Sequence, residues 1–356
     1  DLYGSGSGTF TRSTVAWDFG SNGLLQSFAI NTPVFGYDPV TLTPKGLLIG
    51  DAATQLLATA DIRDMTTANW TLGATMTRAR TSVGADGVAH SATRLTAGAV
   101  AATNIITYLV TAAASSRTFS ALVRRVTGTG VIRMTEDAFA TNTDVTSLVP
   151  ADGAYHLVSV TQSQLNAVIG FKLDTNTDAI DVDFNQFEAG ALATSRMSTT
   201  GAARGGDSLL YTLGTWYNQL GGTLYVEWTN PSATGTYIAV SVNDGTGNNR
   251  IDVISNGSTG ADAQTYTGGV QQEGLANTAL TSGGTVKMTH IFMTSDFAGF
   301  ANNVTMGTDS IGSIPVVTTL EVGSLATINP LHSYIRKIIY YPIRMNNIAA
   351  QTLTVV

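Results

Sequence analysis

The sequence contains no cysteine, so no disulfide framework, thiolate metal site or cysteine nucleophile can form; packing and hydrogen bonding alone must hold the chain. Charged residues make up 12% of its 356 positions, against roughly 25% in ordinary soluble domains. Histidine is scarce and scattered, at His90, His156, His290 and His332, and no His-Glu-x-x-His, Gly-x-Ser-x-Gly, Walker loop or dinucleotide glycine fingerprint occurs. Catalysis has no visible anchor. With 18 Lys and Arg against 25 Asp and Glu, the net charge of −7 offers no basic field to a phosphate backbone, which argues against a nucleic-acid partner. Nowhere do apolar residues run for the roughly 18 positions of a membrane span, so membrane insertion is not expected. The opening 1–8 does not read as a signal peptide.

What the chain has in quantity is threonine, 54 residues, and glycine, 37. Threonine suits pleated, half-buried surfaces and glycine suits turns, so the expected class is all-β. The length allows about two domains. We divide it into an extended N-terminal segment at 1–50, one β-sandwich at 51–206 and a second at 207–356. The leader has a flexible Gly/Ser run at 4–8 and turn signals around Pro33, Pro39 and Pro44. Its Phe10, Trp17, Phe19, Phe28, Phe35 and Tyr37 carry too much aromatic area to float free; the segment is expected to lie against something, either its own domain or a partner subunit. Strand-length runs follow at 74–81, 104–111, 118–126, 131–135, 155–161, 168–173 and 180–187. In 180–185 Ile180, Val182 and Phe184 alternate with Asp181, Asp183 and Asn185, predicting one dry face and one wet face. The small, polar stretch 194–208 marks the domain boundary. Further strands are predicted at 223–229, 237–243, 250–255, 286–294, 318–322 and 334–341, and a short helix at 346–353 behind an asparagine cap.

Three stretches resemble modular bacteriophage virion proteins, in which an extended segment precedes receptor- or carbohydrate-binding β-sandwiches. The first comprises Thr9-Phe10-Thr11-Arg12-Ser13, Gly23-Leu24-Leu25-Gln26, Pro33-Val34-Phe35-Gly36-Tyr37-Asp38-Pro39 and Lys45-Gly46-Leu47-Leu48-Ile49. It departs from the family pattern at Gly36, which is usually Asp, and at Gly50-Asp51, usually paired Glu. The second, from Gln55-Leu56-Leu57 and Asp61 through Trp70-Thr71 to Gln186-Phe187-Glu188-Ala189-Gly190 and Thr194-Ser195, with Arg204 and Asp207 beyond, is similar to a carbohydrate-binding-module-like jelly roll. The third, 222–228 with 334–345, is similar to the first and last strands of a concanavalin-A-like, laminin-G-like sandwich. The resemblance implies a structural component, a tail or head fibre or spike, on the surface of a phage particle. It would display lectin-like modules for attachment to host-cell glycans, as a homotrimer or other symmetric oligomer held to capsid or tail proteins. The alternatives are a capsid decoration or head-fibre protein that binds no glycan, and a polysaccharide depolymerase.

Sugar binding calls for an exposed aromatic platform flanked by amides or carboxylates. The candidates are Trp70 with Asn69, and Trp216 with Tyr217 and Asn218. No cofactor is required, although Asp174, Asn176 and Asp178 match the opening spacing of a Ca²⁺ loop. That match fails beyond, where Ala179 stands for the required Gly and Asn185 for the bidentate Glu. A glycosidase would need two facing carboxylates, for which Glu188 or Glu227 with Asp181 or Asp183 are the available partners. The simpler expectation is that these acids are solvated on strand surfaces.

Overall fold

The computed structural model describes residues 8–198, 203–232, 234–258, 260–276, 280–325 and 329–356; most of the Gly/Ser run, and 199–202 of the boundary stretch, lie outside them. Among the described residues the chain is nearly all β, with one α-helix, Asn347–Leu353, whose cap residue Asn346 accepts the Ala349 N–H at 2.9 Å. The strands form two antiparallel sandwiches.

In the first sandwich, one five-stranded sheet runs in the order Thr143–Asp144, Ile132–Thr135, Val168–Leu173, Ile105–Leu109, Trp70–Leu72. The other runs His156–Gln164, Ser115–Thr127, Ala179–Ala189, Ala92–Thr96, Thr77–Ser82. Their inner faces bury Trp70, Ile106, Phe119, Ile132, Phe171, Ile180, Val182 and Phe187 in one core. The strand Ala179–Ala189 departs from the expected alternation. Its register against Ser115–Thr127 shifts between Ser120 and Leu122, and Phe184 takes φ +48°, the mark of a β-bulge. Phe184 is thereby turned away from Ile180 and Val182, onto the sheet's outer face with Leu122 and Tyr155. The face expected to be wet is dry: Asp181, Asp183 and Asn185 are all 0% exposed, as is Glu188 further along the strand. Burying a carboxylate requires compensation. Asp181 accepts from Arg94 Nε at 2.9 Å and Arg124 Nη2 at 2.6 Å; Asp183 accepts from Arg63 Nε at 2.8 Å and the Ala85 N–H at 2.9 Å. Burial pushes the Asp183 carboxyl upward despite the Arg63 charge, whereas the Arg94, Ser82 and Arg124 donors carry Asp181 below its ordinary value against the same desolvation.

The second sandwich pairs two seven-stranded sheets. One runs Thr9–Thr11, Ser208–Thr212, Thr319–Val322, Thr236–Asn243, Arg250–Asn256, Gly260–Thr267, Val270–Ala276; the other runs Val304–Asp309, Phe297–Ala301, Thr285–Met293, Gly221–Thr229, Ser333–Tyr341, Pro44–Ile49, Phe35–Tyr37. Three of these strands come from the first fifty residues. The leader therefore lies against its own chain: it supplies the edge strands of both sheets on one flank.

Between those edge strands the leader forms a hairpin, Ala16–Phe19 with Leu25–Phe28, that lies on the outer face of the first sandwich. Phe19 and Leu25 pack there against Leu122, Tyr155 and Phe184, and the Trp17 ring tilts onto Phe184 at 5.3 Å. Phe28 packs on the second sandwich with Val34, Leu48 and Tyr334. The jelly-roll motif residues stitch this hairpin down. Glu188 accepts from the Thr194 N–H and hydroxyl, and the Ser195 hydroxyl both donates to the Trp17 carbonyl and accepts its N–H. A second clamp centres on Asp207, which meets Arg12 at 3.3 Å, Arg204 at 2.7 Å and the Gly50 N–H at 2.8 Å, while Arg12 also donates to the carbonyls of Ala29 and Thr32. Gly36 has its reason here: a Cβ at that position would stand 2.2 Å from Asp18 Oδ2, which accepts the Tyr334 hydroxyl at 2.9 Å. Burial raises Asp18 and Tyr334 and lowers the fully enclosed Arg196 to about 10.

Candidate functional site

The two sheets of the second sandwich gape on the flank that the leader closes. In the first sheet Phe10 pairs with Leu209, and in the second Phe35 pairs with Leu47; directly opposite residues share a face, and both pairs point inward. The two outermost leader strands, Thr9–Thr11 and Phe35–Tyr37, are only three residues long, so they end before the inner faces are covered. Ser333–Tyr341 is likewise paired to Pro44–Ile49 only through Ser333–Ile335. What remains is a cleft of about 470 Å³. Phe10, Leu209, Tyr211 and Val322 form one wall, Phe35, Leu47, Ile335 and Ile338 the other, and Gly8, Pro33, Arg336 and Lys337 also border it. Phe35 is 56% exposed, and Phe10 and Tyr211 are half-buried. At Gly8 a Cβ would approach the Tyr211 ring to 2.5 Å, so the bare backbone there lies against that ring.

The volume falls within the roughly 300–1,000 Å³ usual for small-molecule sites. The cleft offers aromatic faces for stacking and the unpaired strand edge beyond Ile335 for hydrogen bonds; the Arg336 and Lys337 side chains lie on the other face of that sheet, beside Glu227 and Tyr225. Arg336 Nη1 stands 3.9 Å from Glu227 Oε1 and Lys337 Nζ 5.9 Å above the Tyr225 ring. Among the described residues no Asp or Glu lines it. Two smaller cavities, about 160 and 130 Å³, lie in the seam between the sandwiches and share Thr194 and His332.

The sugar platforms expected from sequence are placed otherwise. Trp70 is 1% exposed, with its indole N–H on the Asp61 carbonyl and its ring edge-on to Tyr108 at 5.1 Å; it is a core residue and presents no face to a ligand. Asn69 is exposed, but its amide donates to Asp61 Oδ2. Trp216, Tyr217 and Asn218 do come together. Tyr217 is buried and stacked on Tyr340 at 4.9 Å, and half-buried Trp216 stands edge-on to both rings. Their amide is already engaged, since Asn218 donates to the Pro342 carbonyl and accepts the Leu220 N–H. This cluster closes one end of the sandwich core.

Of the leader aromatics, Trp17, Phe19 and Phe28 pack within the chain, Phe10 and Phe35 build the cleft, and Tyr37 lies half-buried in its edge strand. The calcium candidates diverge. Asp174 meets Arg133 at 2.6 Å and Lys172 at 3.0 Å, Asp178 accepts the Gly130 N–H at 2.8 Å with Arg125 at 3.7 Å, and Asn176 is exposed. Among the described residues no group of three His, Asp or Glu side chains converges on a metal position. Glu188, Asp181 and Asp183 are engaged as described, and Glu227 lies in the other sandwich. The residue that sequence reasoning misses is Tyr211, whose alternation with Leu209 is the available signal.

No protein-family model and no curated protein sequence matches the chain. Solved structures similar to parts of it include the CBM40 of Ruminococcus gnavus IT-sialidase bound to α2,3-sialyllactose, at 14% identity and TM-score 0.34 over 39% of this chain and 84% of that one. Another is the CBM22-1–CBM22-2 tandem domain of Paenibacillus barcinonensis Xyn10C, at 10% identity and TM-score 0.30 over 83% and 99%. The tail fibre protein gp63.1 of an E. coli phage follows at 11% identity and TM-score 0.20, over 76% of this chain and 40% of that one. At these identities the likeness concerns the all-β fold.

Proposed function

We propose that this chain is a non-enzymatic glycan-binding protein on the surface of a phage-like particle, a fibre or spike component, with the flank cleft as its sugar site. The observation that carries the glycan reading is the cleft itself: an exposed Phe35 ring facing half-buried Phe10 and Tyr211, beside an unpaired strand edge. A pyranose stacks its apolar face on such rings while its hydroxyls take the backbone groups. One shallow site binds weakly. Several copies in a symmetric oligomer raise the effective affinity by about 10²–10⁴ without improving any contact. The virion setting rests on the order of sequence blocks from Phe10 to Asp207.

The test is a glycan array read with the intact protein, followed by calorimetry on any hit with the wild type, Phe35→Ala and Tyr211→Ala. Binding weakened about tenfold or more by either change supports the site. An array silent for the oligomeric protein refutes the glycan reading. A second reading, a capsid decoration or head-fibre protein that only stabilises or projects, is favoured by one observation: the Trp70 ring and the Asn69 and Asn218 amides are all engaged within the chain. Loosening of particles that lack the protein, together with glycan silence, would select it.

A further inference from the structure

Independently of the glycan reading, we infer that the end of the second sandwich farthest from the first is a self-association surface, through which two copies of this chain pair tip to tip about a twofold axis. The strands locate that end. Tyr237 and His332 stand at the seam with Gly190 and Thr194 of the first sandwich. Tyr237 lies at the start of Thr236–Asn243 and His332 immediately precedes Ser333–Tyr341, so both strands run roughly 25–30 Å away from the seam. Pairing of Thr223 with Tyr341, Gly221 with Met293 and Asn243 with Thr319 then gathers the loops 213–220, 294–296, 310–318 and 342–346 at the far end.

These loops hold Leu220, Ile311, Val316 and Ile343 with 61–79% of their surface in water, beside Met293. Hydrogen bonds join the loops into one face. Gln219 donates to the Val317 carbonyl at 2.6 Å and accepts its N–H at 3.3 Å, Asn218 donates to the Pro342 carbonyl at 3.1 Å, and the Ser295 N–H donates to the Gly312 carbonyl at 2.9 Å. Pro315 and Pro342 directly precede Val316 and Ile343 and fix the backbone there. Loops anchored in this way lose little freedom on docking. Their charged residues, Asp296 and Arg344, pair with each other at 2.8 and 2.7 Å, so this face is self-neutralised in a chain whose net charge is −7.

The five aliphatic side chains present roughly 500 Å² of apolar surface, at the upper end of what monomers leave in water. A standard interface buries about 800 Å² on each partner, and in homodimers about 65% of it is apolar, which is the area this tip supplies from one copy. A single apolar patch is complementary to itself. It therefore suits an isologous twofold contact, whereas a ring would need two different patches that fit each other. Pairing would also join two flank clefts in one species, the first step toward multivalent binding.

Sedimentation velocity of the full chain between about 1 and 100 µM, a range that spans the midpoint of a micromolar complex, is expected to show a species of twice the chain mass. Leu220→Glu with Ile311→Glu places acids in the contact and should return the protein to the monomer; both side chains are more than three-quarters exposed, and unchanged circular dichroism verifies the fold. Val316→Ser with Ile343→Ser, a milder change to the same face, should weaken association about tenfold or more. Leu165→Glu, at a position 66% exposed just beyond His156–Gln164 in the first sandwich, should leave the dimer intact. A wild type that stays monomeric throughout overturns the proposal and leaves the tip to a partner of different sequence. An oligomer of another order, or a dimer that survives the tip changes, overturns it as well. Each of these failures leaves the glycan reading standing, because the array tests that separately.

Discussion

Phe19 and Phe35 belong to the same leader and differ in what surrounds them, so their substitution by alanine should produce opposite phenotypes. Phe19 is 6% exposed and packs with Leu25 against Leu122, Tyr155 and Phe184 on the first sandwich. Truncating a buried phenylalanine costs about 3–5 kcal/mol, from lost transfer energy and the cavity left behind. Because the hairpin lies at a seam, part of the void can collapse, and the low end, about 3 kcal/mol, applies. For domains of 150–250 residues each kcal/mol shifts Tm by roughly 2–4 °C, which gives a fall of about 6–12 °C for Phe19→Ala. Phe35 has more than half its surface in water, and Phe35→Ala should change stability by no more than about 0.5 kcal/mol while it removes the stacking face of the cleft. Differential scanning calorimetry measures both, and glycan binding by the same two variants completes the cross. A Phe19→Ala protein that melts within about 1 °C of the wild type, well inside the scale above, would refute the claim that the leader is a packed part of the fold. So would a Phe35→Ala protein that melts as low as Phe19→Ala.

Three further outcomes follow from the clamps and buried acids. Asp207→Asn leaves Arg12 and Arg204, each 1% exposed, without their shared carboxylate, and should cost about 3–5 kcal/mol, read as a lowered urea midpoint. Glu136 is buried, with its Oε1 on the Phe119 N–H and its Oε2 unpartnered, and desolvation pushes its pKa from 4.5 to about 7. The folded state therefore holds this proton more tightly than the unfolded chain, and the associated stability is complete below pH 4.5 and lost as pH rises through about 7. Glu136→Gln should flatten that limb of the stability profile by about 1–2 kcal/mol once solvent screening is allowed for, and an unchanged slope between about pH 5 and about pH 8 would count against it. Asn346→Ala removes the helix cap and should cost about 1 kcal/mol, seen as faster amide exchange confined to 347–353.

The all-β class and most strands are legible because threonine-rich alternation and turn residues are local signals. The predicted runs at 104–111, 131–135, 168–173 and 223–229 correspond to Ile105–Leu109, Ile132–Thr135, Val168–Leu173 and Gly221–Thr229, and the predicted helix to Asn347–Leu353 behind Asn346. The strands Ala92–Thr96, Gly260–Thr267 and Phe297–Ala301 escape a sequence reading: short alanine, glycine and threonine pieces carry little apolar contrast. The face of Asp181 and Asp183 misleads because alternation reports which residues point together, and is silent on whether the opposite face is covered. Covering it takes Trp17 and Phe19, more than 160 positions away, and Arg63, Arg94 and Arg124 from three other segments. The cleft is illegible for the same reason. Phe10, Phe35 and Tyr211 are visible as aromatics, but only the pairing of Thr9–Thr11 with Ser208–Thr212 and of Phe35–Tyr37 with Pro44–Ile49 brings them to one opening.

That pairing also bears on why a chain so poor in charge avoids sticking to itself. Edge strands expose unpaired backbone groups, and charged side chains are a common guard against edge-to-edge association. On one flank of the second sandwich the leader takes over this role, with Thr9–Thr11 and Phe35–Tyr37 covering what would otherwise be the edges at Ser208–Thr212 and Pro44–Ile49. Each covering strand is three residues long, too short a template for another chain to extend. Where the cover stops, at the open edge beyond Ile335, the next two residues are Arg336 and Lys337. These two cations therefore guard the stretch of this flank that the leader leaves unpaired, and neutralising both should promote association at this edge. Sedimentation of the Arg336→Gln, Lys337→Gln protein at rising concentration is the test: the guard account requires a larger species than the wild type forms, and unchanged sedimentation would refute it.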